Sequence, residues 1–236
     1  HYIGNSAFED SFIQSVTAEA LHAIGNRAFK GCTALSSFKF TSDRTMLKTI
    51  GTEAFQGSAL TDFEIPCTVE QIAPGAFASC ASLSKVTMAK GTHNPCVIEK
   101  FAFYDCAALS TVDWGDGVAA VYELGKAAFA MPSGAGSMTS FTFPEGSTAH
   151  KLKLGDYILA GRGELAEAFM PCTNWGYGEE VTIPPTTFVN CFGLGYVDFT
   201  RNKTASSPYA GGRIYYDPEK LFIDVTNPDL YVRGPK

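Results

Sequence analysis

Apolar and polar positions along the chain recur in a fixed order. The clearest unit is an apolar residue, a glycine, two variable positions and then Ala-Phe. It reads Ile3-Gly4-x-x-Ala7-Phe8, Ile24-Gly25-x-x-Ala28-Phe29, Ile50-Gly51-x-x-Ala54-Phe55 and Ile72-Ala73-x-x-Ala76-Phe77. Looser copies run from Ile98 to Phe103, Leu124-Gly125 to Phe129, Leu154-Gly155 to Leu159 and Ile183 to Phe188. These eight anchors, at 8, 29, 55, 77, 103, 129, 159 and 188, are separated by 21 to 30 residues. A period of that length is the mark of a solenoid, in which each unit buries its apolar face against the next.

After each anchor comes a second pattern, L-x-x-Φ-x-Φ, with Φ apolar. It is seen as Leu35/Phe38/Phe40, Leu60/Phe63/Ile65, Leu83/Val86/Met88 and Leu109/Val112/Trp114, then as Met138/Phe141/Phe143, Leu165/Ala168/Met170 and Leu194/Val197/Phe199. Alternation with period two predicts a short strand with one face buried and the intervening residue in solvent. A shorter apolar pair precedes most anchors, as in Leu21/Ile24, Leu47/Ile50, Val69/Ile72 and Val121/Leu124, and predicts a returning edge on an opposite wall. The Ala-Phe anchor is too short for an ordinary helix and reads as a single helical or 3₁₀ turn that plugs Phe into the core. The expected fold is therefore a repeat solenoid, a leucine-rich-repeat-like right-handed superhelix of short parallel β-strands. Residues 1–200 form the array of about eight repeats and 201–236 a C-terminal capping segment. With parallel strands about 4.8 Å apart, eight coils span about 40 Å.

The pattern resembles the BspA-like leucine-rich repeat family, whose units read approximately I-G-x-x-A-F-x-x-C-x-x-L-x-x-I-x-I-P. The likeness extends from about Ile3 to Phe199 and is clearest in Ile24-Gly25 to Phe40 and in Ile72 to Met88. The strand-ending proline is present as Pro66, Pro144 and Pro171. Departures are Leu159 in place of Phe, Pro132 and Arg162 in place of Cys, and insertions in the sixth and seventh units. The resemblance implies a secreted or surface-attached microbial protein that binds host or matrix proteins.

Composition narrows the picture. The chain of 236 residues is 45% hydrophobic and 18% charged, which suits a packed core. Its net charge of -6 argues against a phosphate-binding surface and hence against nucleic acid as a partner. No apolar run approaches the roughly 20 residues that cross a bilayer. The first residue is His1, inside a repeat, as expected of a processed or trimmed N-terminus.

Candidate chemistry falls into repeat phase. Cys32, Cys80, Cys106 and Cys191 each stand three residues after an anchor, where Ser11, Ser58, Pro132 or Arg162 stand in other units. That placement predicts small, weakly polar side chains in a buried turn and free thiols. Coil spacing would also admit a Cys80–Cys106 bond, although stacked side chains point in parallel. Neither C-x-x-C nor a zinc-like histidine spacing is present, so no metal or cofactor is expected. Asp113-Trp114-Gly115-Asp116-Gly117 lacks the carboxylate spacing of a calcium loop and reads as strand end and turn, Asp113 exposed and Trp114 buried. Gly161-Arg162-Gly163-Glu164-Leu165-Ala166 matches a dinucleotide-binding fragment, but no crossover helix follows it. Glu179-Glu180 lies in a Gly-rich insertion, and Asn202-Lys203-Thr204 is a short glycosylation sequon.

A binding face follows from the strands. Residues between the buried strand positions line up as one stripe, Lys39, Glu64, Thr87, Asp113, Thr142, Phe169 and Asp198. A companion row holds Ser37, Asp62, Lys85, Thr111, Ser140, Glu167 and Tyr196. Phe169 and Tyr196 are aromatic outliers, open to cover by a ligand or by the terminal cap. The leading expectation is a non-catalytic solenoid, extracellular or attached to the cell surface, that binds a protein or glycan through Lys39, Glu64, Asp113, Glu167, Phe169, Tyr196 and Asp198. A purely architectural spacer is the alternative, and a hydrolase with a site in the 154–187 insertions ranks behind both.

Overall fold

In a computed structural model the chain folds as a parallel β-solenoid. The structure describes residues 1–41, 45–89, 95–115, 121–132, 134–144, 152–170, 180–199, 213–215, 218–222, 225 and 227–233. Cys172, Glu179, the Asn202 sequon and much of the expected cap lie outside the described residues.

Two walls are built by strands that alternate along the chain. One wall holds β1 (Tyr2–Ile3), β3 (Ala23–Ile24), β5 (Thr49–Ile50), β7 (Gln71–Ile72), β9 (Cys96–Ile98), β11 (Val121–Leu124) and β13 (Lys153–Leu154), hydrogen-bonded in that order. Its buried residue is the first letter of the repeat: Ile24 pairs with Ile50, Ile50 with Ile72 and Ile72 with Ile98. The wall resumes with β15 (Glu180–Thr182), which pairs with β17 (Arg213–Tyr215). The other wall holds β2 (Ser15–Ala18) and β4 (Ser37–Phe40), then β6 (Asp62–Ile65), β8 (Lys85–Met88) and β10 (Thr111–Asp113). Four more follow, β12 (Ser140–Thr142), β14 (Glu167–Phe169), β16 (Tyr196–Asp198) and β18 (Tyr231–Arg233). β17 and β18 are reached on either side of the short helix α1 (Pro218–Leu221), so the C-terminal segment adds one parallel strand to each wall.

The anchor forms a third ladder between the walls. The expected single helical or 3₁₀ turn takes the form of linked turns: Ala28 N–H donates to Gly25 O and Cys32 N–H to Phe29 O, each three residues back. Between them, Arg27, Phe29 and Gly31 donate to Thr52, Ala54 and Gln56 of the next coil. Positive φ at Arg27 (56°) and Gly31 (71°), the third residues of their turns, is the signature of type II geometry and keeps the turns from merging into a helix. Each anchor ring stacks on the next. Phe8, Phe29, Phe55, Phe77, Phe103 and Phe129 form a column with centroids 5.1 to 5.2 Å apart and nearly parallel planes. That spacing follows the coil repeat, because parallel strands sit about 4.8 Å apart. Strand residues Phe38 and Phe63 meet the column edge-on or tilted, which suits the ring quadrupole.

Small residues allow this close stacking. A Cβ on Gly51 would lie 2.6 Å from the backbone carbon of Gly25, whereas one on Gly4 would meet nothing within 4 Å. Gly161 and Gly163 have the same origin: their Cβ atoms would overlap the carbonyl oxygens of Met131 and Gly134. The nucleotide-like spacing in the sequence is thus a packing requirement of neighbouring coils.

The cysteine slot proves to be a hydrogen-bonding position. Cys32, Cys80, Cys106 and Cys191 carry free thiols that donate to the anchor carbonyls of the preceding coil, those of Phe8, Phe55, Phe77 and Leu159, at 2.9 to 3.2 Å. Arg162 does the same over a longer reach, its Nε donating to Phe129 O at 2.7 Å and Nη1 to Cys106 O at 3.4 Å. Pro132 occupies the slot between Cys106 and Arg162 and has no side-chain hydrogen to give.

Candidate functional site

The strand wall brings the sequence-derived stripe together. Register pairs Asp62 with Lys85 and Glu64 with Thr87, then Lys85 with Thr111 and Thr87 with Asp113. Further along, Ser140, Glu167, Tyr196 and Tyr231 form one row, and Thr142, Phe169, Asp198 and Arg233 the next. β4 packs beside β6 and β10 beside β12, so the rows continue across the breaks in hydrogen bonding.

The two ends of this wall differ in chemistry. Toward the N-terminus it is polar. Lys39, Glu64, Asp113 and Glu167 are exposed. Lys39 pairs with Asp62 across adjacent coils, and that bond holds the Asp62 carboxyl below its usual pKa against a smaller opposing effect of burial. Asp113 Oδ1 accepts the Gly115 N–H at 3.0 Å, a local turn that engages one of its oxygens. Trp114, expected to be buried, is half-buried; it donates Nε1 to Thr142 O at 2.6 Å and stands edge-on to Phe129 and Phe141.

Toward the C-terminus the wall becomes aromatic. Phe169 and Tyr196 have ring centroids 5.8 Å apart, and Tyr196 stacks on Tyr231 at 5.8 Å with planes 9° apart. Tyr231 is 60% exposed. Neither Tyr231 nor Arg233 belonged to the expected stripe, because both lie in the segment read as a cap. The signal that marks them is the alternation of half-buried Leu230 and Val232 around exposed Tyr231, the same period two as in β6 and β8.

Asp198 requires a correction. The alternation placed it in solvent, yet it is 4% exposed. β18 adds Arg233 directly beside it, with Nη1 at 3.7 Å from Oδ2, and the Tyr196 hydroxyl donates to the same oxygen at 3.1 Å. Asp198 is therefore held between the Tyr196 hydroxyl and the Arg233 guanidinium and does not stand in solvent as the alternation required.

This architecture has counterparts. The model of the BspA type leucine rich repeat region matches residues 1–135 and 48–210, with six copies. The chain belongs to the BspA-type leucine rich repeat family. Solved structures similar to this BspA-type chain include a leucine rich cell surface protein from Faecalibacterium prausnitzii A2-165, with 18% identity over 95% of this chain and 66% of that one and a TM-score of 0.38. The pneumococcal vaccine antigen PcpA is 13% identical over 100% of this chain and 71% of its own, with a TM-score of 0.49. A leucine-rich repeat protein from Bacteroides ovatus ATCC 8483 is 16% identical over 99% and 78%, with a TM-score of 0.41. This BspA-type chain thus spans about two thirds to three quarters of the neighbours' lengths. No curated protein matches its sequence.

Chemically, the described strand wall of this BspA-type solenoid presents polar side chains toward one end and aromatic ones toward the other. No group of three metal-ligating side chains is found among the described residues. No helix among them is long and apolar enough to cross a membrane. The described thiols in the turn slot are buried and engaged as donors, and burial pushes Cys80 up to about 11 and Cys191 up to about 12. Such thiols are poor nucleophiles at neutral pH, since the thiolate is the reactive form.

Proposed function

We propose that this chain is a non-catalytic binding solenoid, secreted or displayed at a microbial surface, whose ligand is a protein or glycan held on the strand wall. The observation that carries this reading is the aromatic row Phe169, Tyr196 and Tyr231, with Tyr231 exposed to solvent. Aromatic side chains supply much of the energy of protein interfaces and also suit apolar sugar faces. Glu167 lies beside the row on β14, and Lys39, Glu64 and Asp113 extend the face as a polar rim. Secretion or surface display rests on the family resemblance. The C-terminal segment 201–236 is proposed to cap the array while lengthening this face.

The test is a binding screen of the purified chain against host matrix proteins and a glycan panel, repeated with Tyr196→Ala, Tyr231→Ala and Glu167→Ala. Tyr196→Ala and Tyr231→Ala are expected to weaken a hit by about tenfold or more each, about 1.4 kcal/mol. A hit whose affinity all three variants leave unchanged removes the strand wall as the site, and silence across both panels favours the architectural spacer.

A further inference from the structure

A second surface lies on the turn wall, away from the strand face. Two residues before each anchor the backbone is left-handed in most repeats, and that position holds Ser6, Arg27, Glu53 and Gly75 in the first four. In later repeats it holds Phe101 (φ 61°) and Tyr157 (φ 62°). The left-handed backbone is the turn geometry common to the repeats, and bulky side chains are disfavoured in it. Burial does not compensate, because Phe101 is 37% and Tyr157 39% exposed. With Phe192, 51% exposed, they border a groove of about 530 Å³ whose floor includes Ala130 and Gly161.

The chemistry of this groove points to one kind of occupant. Several of its main-chain N–H groups are engaged within the stack: Ala127, Met131 and Gly161 donate to Asp156, Ala160 and Val189 of the following coils. The lining side chains are mostly apolar. Lys126 is the one charged residue among the described lining residues, its Nζ 5.5 Å from the centre of the Tyr157 ring. A floor of methyl groups and small residues accepts an apolar knob, while the ammonium calls for a carboxylate next to it. We propose that the groove docks a protein segment in which an aromatic or branched aliphatic side chain is flanked by Asp or Glu. This docking is independent of the strand-wall reading.

The probes are short acetylated peptides with a central Phe or Leu flanked by Asp, by Ser or by Lys, titrated to about 1 mM against the full chain and followed by NMR. An acidic oligogalacturonate serves as a glycan control. The Asp-flanked peptides are expected to bind about tenfold or more tightly than the Lys-flanked ones, and Lys126→Glu to reverse that order. Tyr157→Gly and Phe192→Ala are expected to reduce binding about tenfold. Tyr157→Gly is also expected to keep or raise the thermal midpoint, since glycine suits the left-handed backbone. Binding indifferent to flanking charge, binding of the oligogalacturonate alone, or no binding by any peptide overturns the proposal. So does a fall in the midpoint of Tyr157→Gly, which would make the ring structural.

Discussion

The thiols of Cys80, Cys106 and Cys191 are donors to main-chain carbonyls in a dry turn, and that environment makes them sensitive to alkali. Burial is the main cause in each: Cys80 is raised from 9.0 to about 11 and Cys191 to about 12, with Cys106 raised further. A thiol then ionises at lower pH in the unfolded chain than in the folded one. Stability is whole below pH 9 and falls as pH rises through 9 toward the folded values, on the order of 1 kcal/mol per thiol per pH unit. Urea unfolding at pH 7.5 and 10 checks this. Cys80→Ser, which keeps a donor as Ser58 does one coil earlier, is expected to lose less stability between the two pH values than the wild type. An equal loss in both rules out Cys80 as a contributor. The glycines make an equally local point. Gly51→Ala is expected to cost about 1–3 kcal/mol because its methyl meets backbone, whereas Gly4→Ala stays within about 0.5 kcal/mol. Equal midpoints in thermal unfolding would show that coil spacing yields to a methyl group.

The anchor turn with its phenylalanine is the element on which the stack depends. Phe77 touches Phe55 and Phe103 face to face and Phe63 edge-on, and it is fully buried. Among the described residues Phe8 stacks on Phe29 only, and it is 39% exposed. Phe77→Ala is therefore expected to destabilise by about 3–5 kcal/mol, and Phe8→Ala by less than half as much. Chemical denaturation of the two variants measures the difference, and equal losses would mean that the column does not share its energy between neighbours. The same element explains why some of the sequence was easy to interpret and some was not. Ile-Gly-x-x-Ala-Phe is legible because every coil repeats the same steric demand. Arg162 looked like a departure, yet it supplies the donor that the slot calls for, and no side-chain alphabet of small residues would have suggested it. Its burial brings its pKa down to about 10, which leaves it cationic at neutral pH.

Across the whole molecule, the coil period alone was enough to specify two strand walls, a turn column and the order of residues along the exposed stripe. Each of these depends on contacts between one repeat and the next, and a repeated sequence states that contact many times over. Lys39, Glu64, Asp113 and Glu167 are exposed as the alternation requires, because each alternates with the inward-facing positions of its strand. Asp198 and the turn-wall groove were not legible. Asp198 is buried by Arg233 and by the Tyr196 hydroxyl, through a strand, β18, that follows a stretch without the repeat. The groove arises where anchors are more widely spaced in sequence and side chains from separate repeats, Phe101, Tyr157 and Phe192, converge over a floor of small residues. Period and alternation carry the fold because they report pairwise stacking along one axis. The aromatic row with Tyr231 and the groove with Lys126 depend on which non-repeating segments come to rest against the stack, and that is settled by packing in three dimensions.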